Sequence, residues 1–128
     1  MTRIEYLSTE QLVEINKRVL KNIRVKRADS HRVANRKKLD SVVDEVRALD
    51  GGAYEKAACL LIGLTKKHDF DSGNRRTAYA ATELFLEAND ETLKAEPDPT
   101  VLTGIREGFY RTEEVVEWLK GNGIQEFR

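Results

Sequence analysis

The amino-acid sequence predicts an all-α protein, and three observations carry that expectation. Apolar residues return every three or four positions in several segments, no convincing alternating run exceeds about four residues, and Gly- or Pro-containing turns separate the segments. The chain has 128 residues, 40% of them hydrophobic and 34% charged, which suits a single domain over residues 1–128 and leaves no room for a second core. Two prolines, eight glycines and no internal repeat exclude a collagen-like or low-complexity chain.

The first helix is announced by Leu7-Ser8-Thr9-Glu10-Gln11, where Ser8 is placed to cap the opening amides and Gln11, three residues on, to reach back. Leu12, Ile15 and Val19 share a face, which carries this helix to about Lys21. From Asn22 to Lys38 no period holds. The stretch is polar and basic, with Val25 and Val33 isolated, so a loop or short hairpin is expected there. Leu39, Val42, Val43, Val46 and Leu49 mark a second helix, stopped by Asp50-Gly51-Gly52. A third runs from about Ala53 to Lys67, and its middle, Ala57 to Leu64, is apolar almost all round, as in a helix buried at the centre of a fold. After a turn at Ser72-Gly73-Asn74, a second central helix is expected from Thr77 to Asn89, with Ala78, Ala81, Leu84 and Phe85 on its stripe. Pro97-Asp98-Pro99 forms a loop and Thr100 to Glu107 a short helix. Thr112 caps a last helix containing Trp118 and Leu119, which stops at Gly121-Asn122-Gly123.

Charge totals balance, with 22 Lys and Arg against 22 Asp and Glu, but their distribution does not. Between Lys17 and Lys38 there are ten basic residues and one acid, Asp29, whereas from Ala81 onward there are five basic residues and eleven acids. A basic run of this kind is most often a solvated face; a site for polyanions is the second reading, and nucleic acid is the weakest version of it because few aromatic residues interleave with the cations. Cys59 is the only cysteine, which excludes an intramolecular disulfide, and its apolar surroundings predict a buried thiol without chemistry. Met1-Thr2-Arg3-Ile4-Glu5 lacks the apolar core of a signal peptide, and the longest uncharged apolar run has eight residues, too few for a membrane span. A cytoplasmic protein is expected.

One segment departs from ordinary core-and-surface patterning: His68-Asp69-Phe70-Asp71-Ser72-Gly73-Asn74-Arg75-Arg76-Thr77, between two apolar helices. A Gly-Asn turn opening a helix presents unpaired amides at the positive end of the helix dipole, which makes an anion site. Arg75 and Arg76 are unfavourable at that end, and a bound phosphate would account for them. His68 is the histidine near the turn, and imidazole suits removal of a hydroxyl proton near neutral pH. Asp69-Phe70-Asp71 is not a calcium loop, because Gly73 and Ala80 fall where an EF-hand needs its third ligand and its final Glu. The plain alternative is that His68 caps the preceding helix and the arginines are solvated; the ordered combination favours the functional reading.

That combination resembles the signature of Fic-domain proteins, H-x-F-x-(D/E)-G-N-G-R-x-x-R, and within it the shorter Doc (death-on-curing) branch, where a basic residue replaces the second glycine. His68, Phe70, Gly73, Asn74, Arg76 and the continuation Thr77-Ala78 match. The resemblance implies a Fic-fold bundle of about six helices with a hairpin flap, formed here by the Lys17 to Lys38 region. It implies a toxin of a toxin–antitoxin pair, with an antitoxin protein as partner. His68 would be the general base on a target protein's hydroxyl, and Phe70 a buried anchor. Gly73 and Asn74 would form the phosphate nest, Arg75 would line it, and Arg76 would neutralise charge on the ATP phosphates. Family members with Gly in place of Arg75 generally transfer AMP, whereas Doc toxins, with Lys there, phosphorylate an elongation factor. A bulky cation therefore implies phosphoryl transfer from ATP to a translation factor, with AMP transfer and a catalytically degenerate binding module as alternatives. The signature's acid position holds Ser72, so Mg²⁺ would be bound by Asp71 turned inward or through water from Ser72. The signature's last Arg falls at Tyr79. Thr103-Gly104-Ile105-Arg106-Glu107-Gly108 fits the family's self-inhibition pattern formally, but the Arg that such a Glu pairs with is missing, and the match is assigned to chance.

Overall fold

Six helices form among the residues that the computed structural model describes, which are 3–22, 35–67, 70 and 73–128: α1 (Thr9–Asn22), α2 (Arg36–Ala48), α3 (Ala53–Lys67), α4 (Asn74–Ala88), α5 (Pro99–Arg106) and α6 (Thr112–Leu119). Apart from an isolated bridge position at Phe70, these residues contain no strand, so the described fold is all-helical, as the periodicity predicts. None of the described helices is long and apolar enough to cross a membrane.

Local chemistry fixes where the helices begin. At α1 the Ser8 backbone N–H donates to Gln11 Oε1 at 2.8 Å and the Gln11 N–H donates to Ser8 Oγ at 3.2 Å, the reciprocal box that the sequence announces. α2 starts earlier than its apolar period, because Asn35 is the N-cap and its side chain accepts from the Lys38 N–H at 3.1 Å. Arg36, Lys37 and Lys38 are therefore helical rather than loop, and their first turn carries no apolar residue to reveal it. The remaining basic stretch, where a hairpin is expected, lies outside the described residues. α5 is capped by Asp98, whose carboxylate accepts from Thr100 N–H at 3.0 Å and Val101 N–H at 3.4 Å, so Pro99 is its first residue and not part of the loop. At α6 the cap is Arg111 instead of Thr112. Its N–H donates to Glu114 at 2.9 Å, a reach-back that Val115, the corresponding residue after a Thr112 cap, is unable to make.

α3 is the hub, packing against α2, α4, α5 and α6, while α1 lies mainly on α4. Its Ala57, Ala58, Leu60, Leu61 and Leu64 are buried, consistent with the nearly continuous apolar run. Gly63 lets α2 approach closely, since a Cβ there would stand 3.0 Å from Val42 Cγ1. Lys56, on the same helix, is 5% exposed and has no acidic partner among the described residues. Its ammonium donates to the Val46 carbonyl at 3.0 Å and to the Leu49 carbonyl, closing the C-terminal end of α2, where the helix dipole favours a cation. Within α4, Ala78, Ala81 and Phe85 are buried with Thr77 and Thr82, but Leu84 is 42% exposed. Leu84 lies at the edge of that stripe, over a groove shared with Leu7 and Ile15.

The residues on either side of α6 strap the short α5 in place. Tyr110 donates its hydroxyl to the Gln125 carbonyl at 2.9 Å, and Phe127 meets Phe109 edge-on at 5.3 Å between ring centroids. Both Tyr110 and Phe127 press on the bare backbone of Gly104, where an added Cβ would meet Tyr110 Cε2 at 2.5 Å.

Candidate active site

The start of α4 is set by a turn in which Gly73 is the N-cap with φ +76° and, being glycine, offers no side-chain cap. α4 begins at Asn74, not at Thr77, so Asn74, Arg75 and Arg76 form its first turn. The sequence hides this because all three are polar and outside the apolar stripe. The Thr77 N–H donates to the Gly73 carbonyl at 2.8 Å, so the amides of the three residues before it have no partner within the helix and mark its positive end. Glycine is required at 73 twice over. An L-residue is strained at that φ, and a Cβ would also stand 3.0 Å from Leu20 Cδ2 of α1.

The Asn74 side chain has a task that sequence reasoning missed. Its Oδ1 accepts from the Phe70 N–H at 3.0 Å and its Nδ2 donates to the Phe70 carbonyl at 2.8 Å, so both ends of the amide grip one residue of the preceding loop. Phe70 itself is 3% exposed and belongs to the core. What Asn74 offers an anion is its backbone amide. Behind the turn, Asn16 of α1 is fully buried and donates through Nδ2 to Thr77 Oγ1 at 3.0 Å, tying α1 to the first turn of α4.

Arg75 and Arg76 are exposed, and the first turn of α4 contains no acid to neutralise them. Arg75 Nη1 donates to Thr103 Oγ1 of α5 at 2.8 Å. Arg76 has no ion pair or hydrogen bond among the described residues, in contrast to Arg36, which is paired with Glu10 at 2.6 Å. Both arginines line a cleft of about 430 Å³ between α4 and the start of α5, with Tyr79 beside them and Pro97, Pro99 and Leu102 opposite. Asp98 also lines it, but its carboxylate is engaged in capping α5. Tyr79, at the signature's last Arg position, adds no cation: it donates its hydroxyl to the Ala95 carbonyl at 2.6 Å. Burial first, then Glu83 and Glu96, push that phenol above its ordinary pKa and keep it neutral.

Of the residues singled out in the sequence, the structure brings Gly73, Asn74, Arg75 and Arg76 together at one helix end, with Phe70 clamped below. His68, Asp69, Asp71 and Ser72 lie outside the described residues. The donor set fits the phosphates of a nucleotide: first-turn amides without a partner within the helix, one tethered guanidinium and one guanidinium without a partner among the described residues. Among the described residues no group of three or more His, Cys, Asp or Glu side chains is placed to hold a metal ion. Glu107, the acid of the formal self-inhibition pattern, pairs with its neighbour Arg106 at 3.3 Å. Cys59 is half-buried rather than buried, on a groove with Leu49 and Ile62; burial pushes its thiol up, away from nucleophilic use.

Residues 6–86 match the model of the Fic/DOC family, a span that contains α1 to α3, the turn and nearly all of α4. Comparison with curated proteins returns no match.

Proposed function

Because the chain belongs to the Fic/DOC family, and is on that ground a Fic-type transferase, we propose that it moves the γ-phosphoryl group of ATP to a hydroxyl side chain of a protein target. The observation that carries the finer reading is Arg75. Where the AMP-transferring members have glycine, this chain sets a guanidinium into the wall of the cleft and holds it on Thr103. A cation there occupies space that a glycine leaves open to phosphate, which favours a nucleotide seated with its terminal phosphate toward the target.

In this scheme the first-turn amides of α4 and Arg76 hold the phosphates, and His68 accepts the proton of the target hydroxyl. The hydroxyl oxygen then bonds to the γ-phosphorus as the bond to the bridging oxygen of ADP breaks. Little covalent chemistry falls to the protein, so positioning and charge neutralisation supply most of the rate. Mg²⁺ would accompany the nucleotide, with Asp71 as the candidate ligand. A translation factor as target, an antitoxin as partner and the Lys17 to Lys38 region as the surface that docks the target belong to the same proposal.

Incubating the protein and a cell extract with γ-labelled or α-labelled ATP in parallel tests it. Label transferred from the γ position alone supports phosphoryl transfer. Label from the α position would replace it with AMP transfer, and no transfer from either would leave a binding module.

A further inference from the structure

Thr103 lies 28 residues from Arg75 in sequence, and its hydroxyl joins two elements that would otherwise only face each other across the cleft. The geometry of that hydroxyl is fully determined. Its hydrogen goes to the Pro99 carbonyl at 2.8 Å, one turn back in α5, which leaves only its lone pairs to face α4. One lone pair receives Arg75 Nη1 at 2.8 Å. A threonine hydroxyl is neutral, so this contact fixes the guanidinium in place without cancelling its charge. An Asp or Glu at 103 would hold it as well and neutralise it.

We propose that Thr103 is a positioning residue for Arg75: it fastens the guanidinium in the wall of the cleft so that its remaining donors are preset for polyphosphate. The proposal rests on the nucleotide reading of that cleft. Its physical content is entropic. A free Arg side chain at a helix N-terminus is repelled by the dipole and by the adjacent Arg76, and must be ordered when a ligand binds; one held by Thr103 has been ordered already. α5 thereby takes part in substrate binding through a residue that touches the arginine and need not touch the substrate.

The test measures binding of inorganic tripolyphosphate and of ATP to the full chain by calorimetry, for wild type, Thr103→Val, Thr103→Ser, Arg75→Ala and the Thr103→Val/Arg75→Ala double variant. Thr103→Val is expected to weaken both ligands roughly 3- to 10-fold, the range of one modest hydrogen bond. Thr103→Ser should restore wild-type affinity. In the Arg75→Ala background the same Val substitution should have no further effect, because Thr103 acts through Arg75; a merely structural role would add its cost in both backgrounds. Wild-type affinity in Thr103→Val, or an equal loss with and without Arg75, would overturn the proposal while leaving the transferase reading intact. Thr103-dependent binding of tripolyphosphate in a protein that transfers no label would support the positioning role and remove the phosphoryl-transfer reading. Failure of the wild type to bind either ligand would overturn both.

Discussion

Replacing Gly73 by Ala should unfold the protein several degrees earlier and disable the site, and the size of the effect follows from two separable costs. At φ +76° an L-residue brings its Cβ too close to the following carbonyl, which costs about 1–2 kcal/mol. The new methyl would also stand 3.0 Å from Leu20 Cδ2, a partly exposed side chain that can turn aside for roughly 0.5–1.5 kcal/mol of rotamer strain. Together these give about 1.5–3.5 kcal/mol, or a fall in Tm of about 6–14 °C for a chain of this length. Thermal unfolding followed by circular dichroism reads the total, and two companions divide it. Gly73→Asn keeps the crowding but tolerates the left-handed conformation better, so it should lose less than Gly73→Ala. When Gly73→Ala is introduced into a Leu20→Ala background, its cost should shrink to the backbone part. A Gly73→Ala protein melting within about 2 °C of wild type would refute the argument, since neither cost could then be present.

Other perturbations separate chemistry from scaffold. His68→Ala should reduce label transfer by roughly 10²–10⁴-fold with nucleotide affinity nearly unchanged, whereas Arg76→Ala should lower affinity as well; calorimetry beside the transfer assay distinguishes them, and full activity in His68→Ala removes the base assignment. Thr77→Val takes from the buried Asn16 amide an acceptor at 3.0 Å, and should cost about 1–3 kcal/mol in denaturant unfolding. The Arg111 backbone N–H, then the Gln125 amide, hold the Glu114 carboxyl below the ordinary carboxylate range. Its contribution to stability is therefore present above the unfolded-state pKa and lost as pH falls through the lower folded one. Glu114→Gln should flatten the acid side of the stability profile, and an unaltered slope would show that this carboxyl has no such share.

The helices were legible where apolar residues marked their faces. α3 could be bounded almost to the residue because its centre is apolar all round, and α1 because Ser8 and Gln11 stand at capping-box spacing. The starts of α2 and α4 were not, for a common reason: Arg36 to Lys38 and Asn74 to Arg76 are polar first turns, invisible to a hydrophobic period and set by Asn35 and Gly73 instead. The same limit applies at the site. That a Gly-Asn turn with two arginines opens a helix can be seen in the sequence. That Asn74 commits its side chain to the Phe70 backbone depends on how the loop curves. That Arg75 finds Thr103 depends on α5 docking, and no local pattern encodes a partner 28 residues away.

The strap formed by Tyr110, Gln125 and Phe127 bears on when the protein becomes competent as it is made. A helix of eight residues, as α5 is, has little stability alone, and its seat is completed by aromatic contacts from residues that follow it in the chain. The family-matched span carries the Gly73-Asn74 turn but neither Thr103 nor the prolines of the opposite wall. On a ribosome, then, the turn emerges well before the opposite wall of the cleft that Arg75 and Arg76 line. The contacts of Phe127 with Gly104 and Phe109 form only once that residue has been added, so a nascent chain that stops short of it has the turn but lacks part of the packing that seats α5.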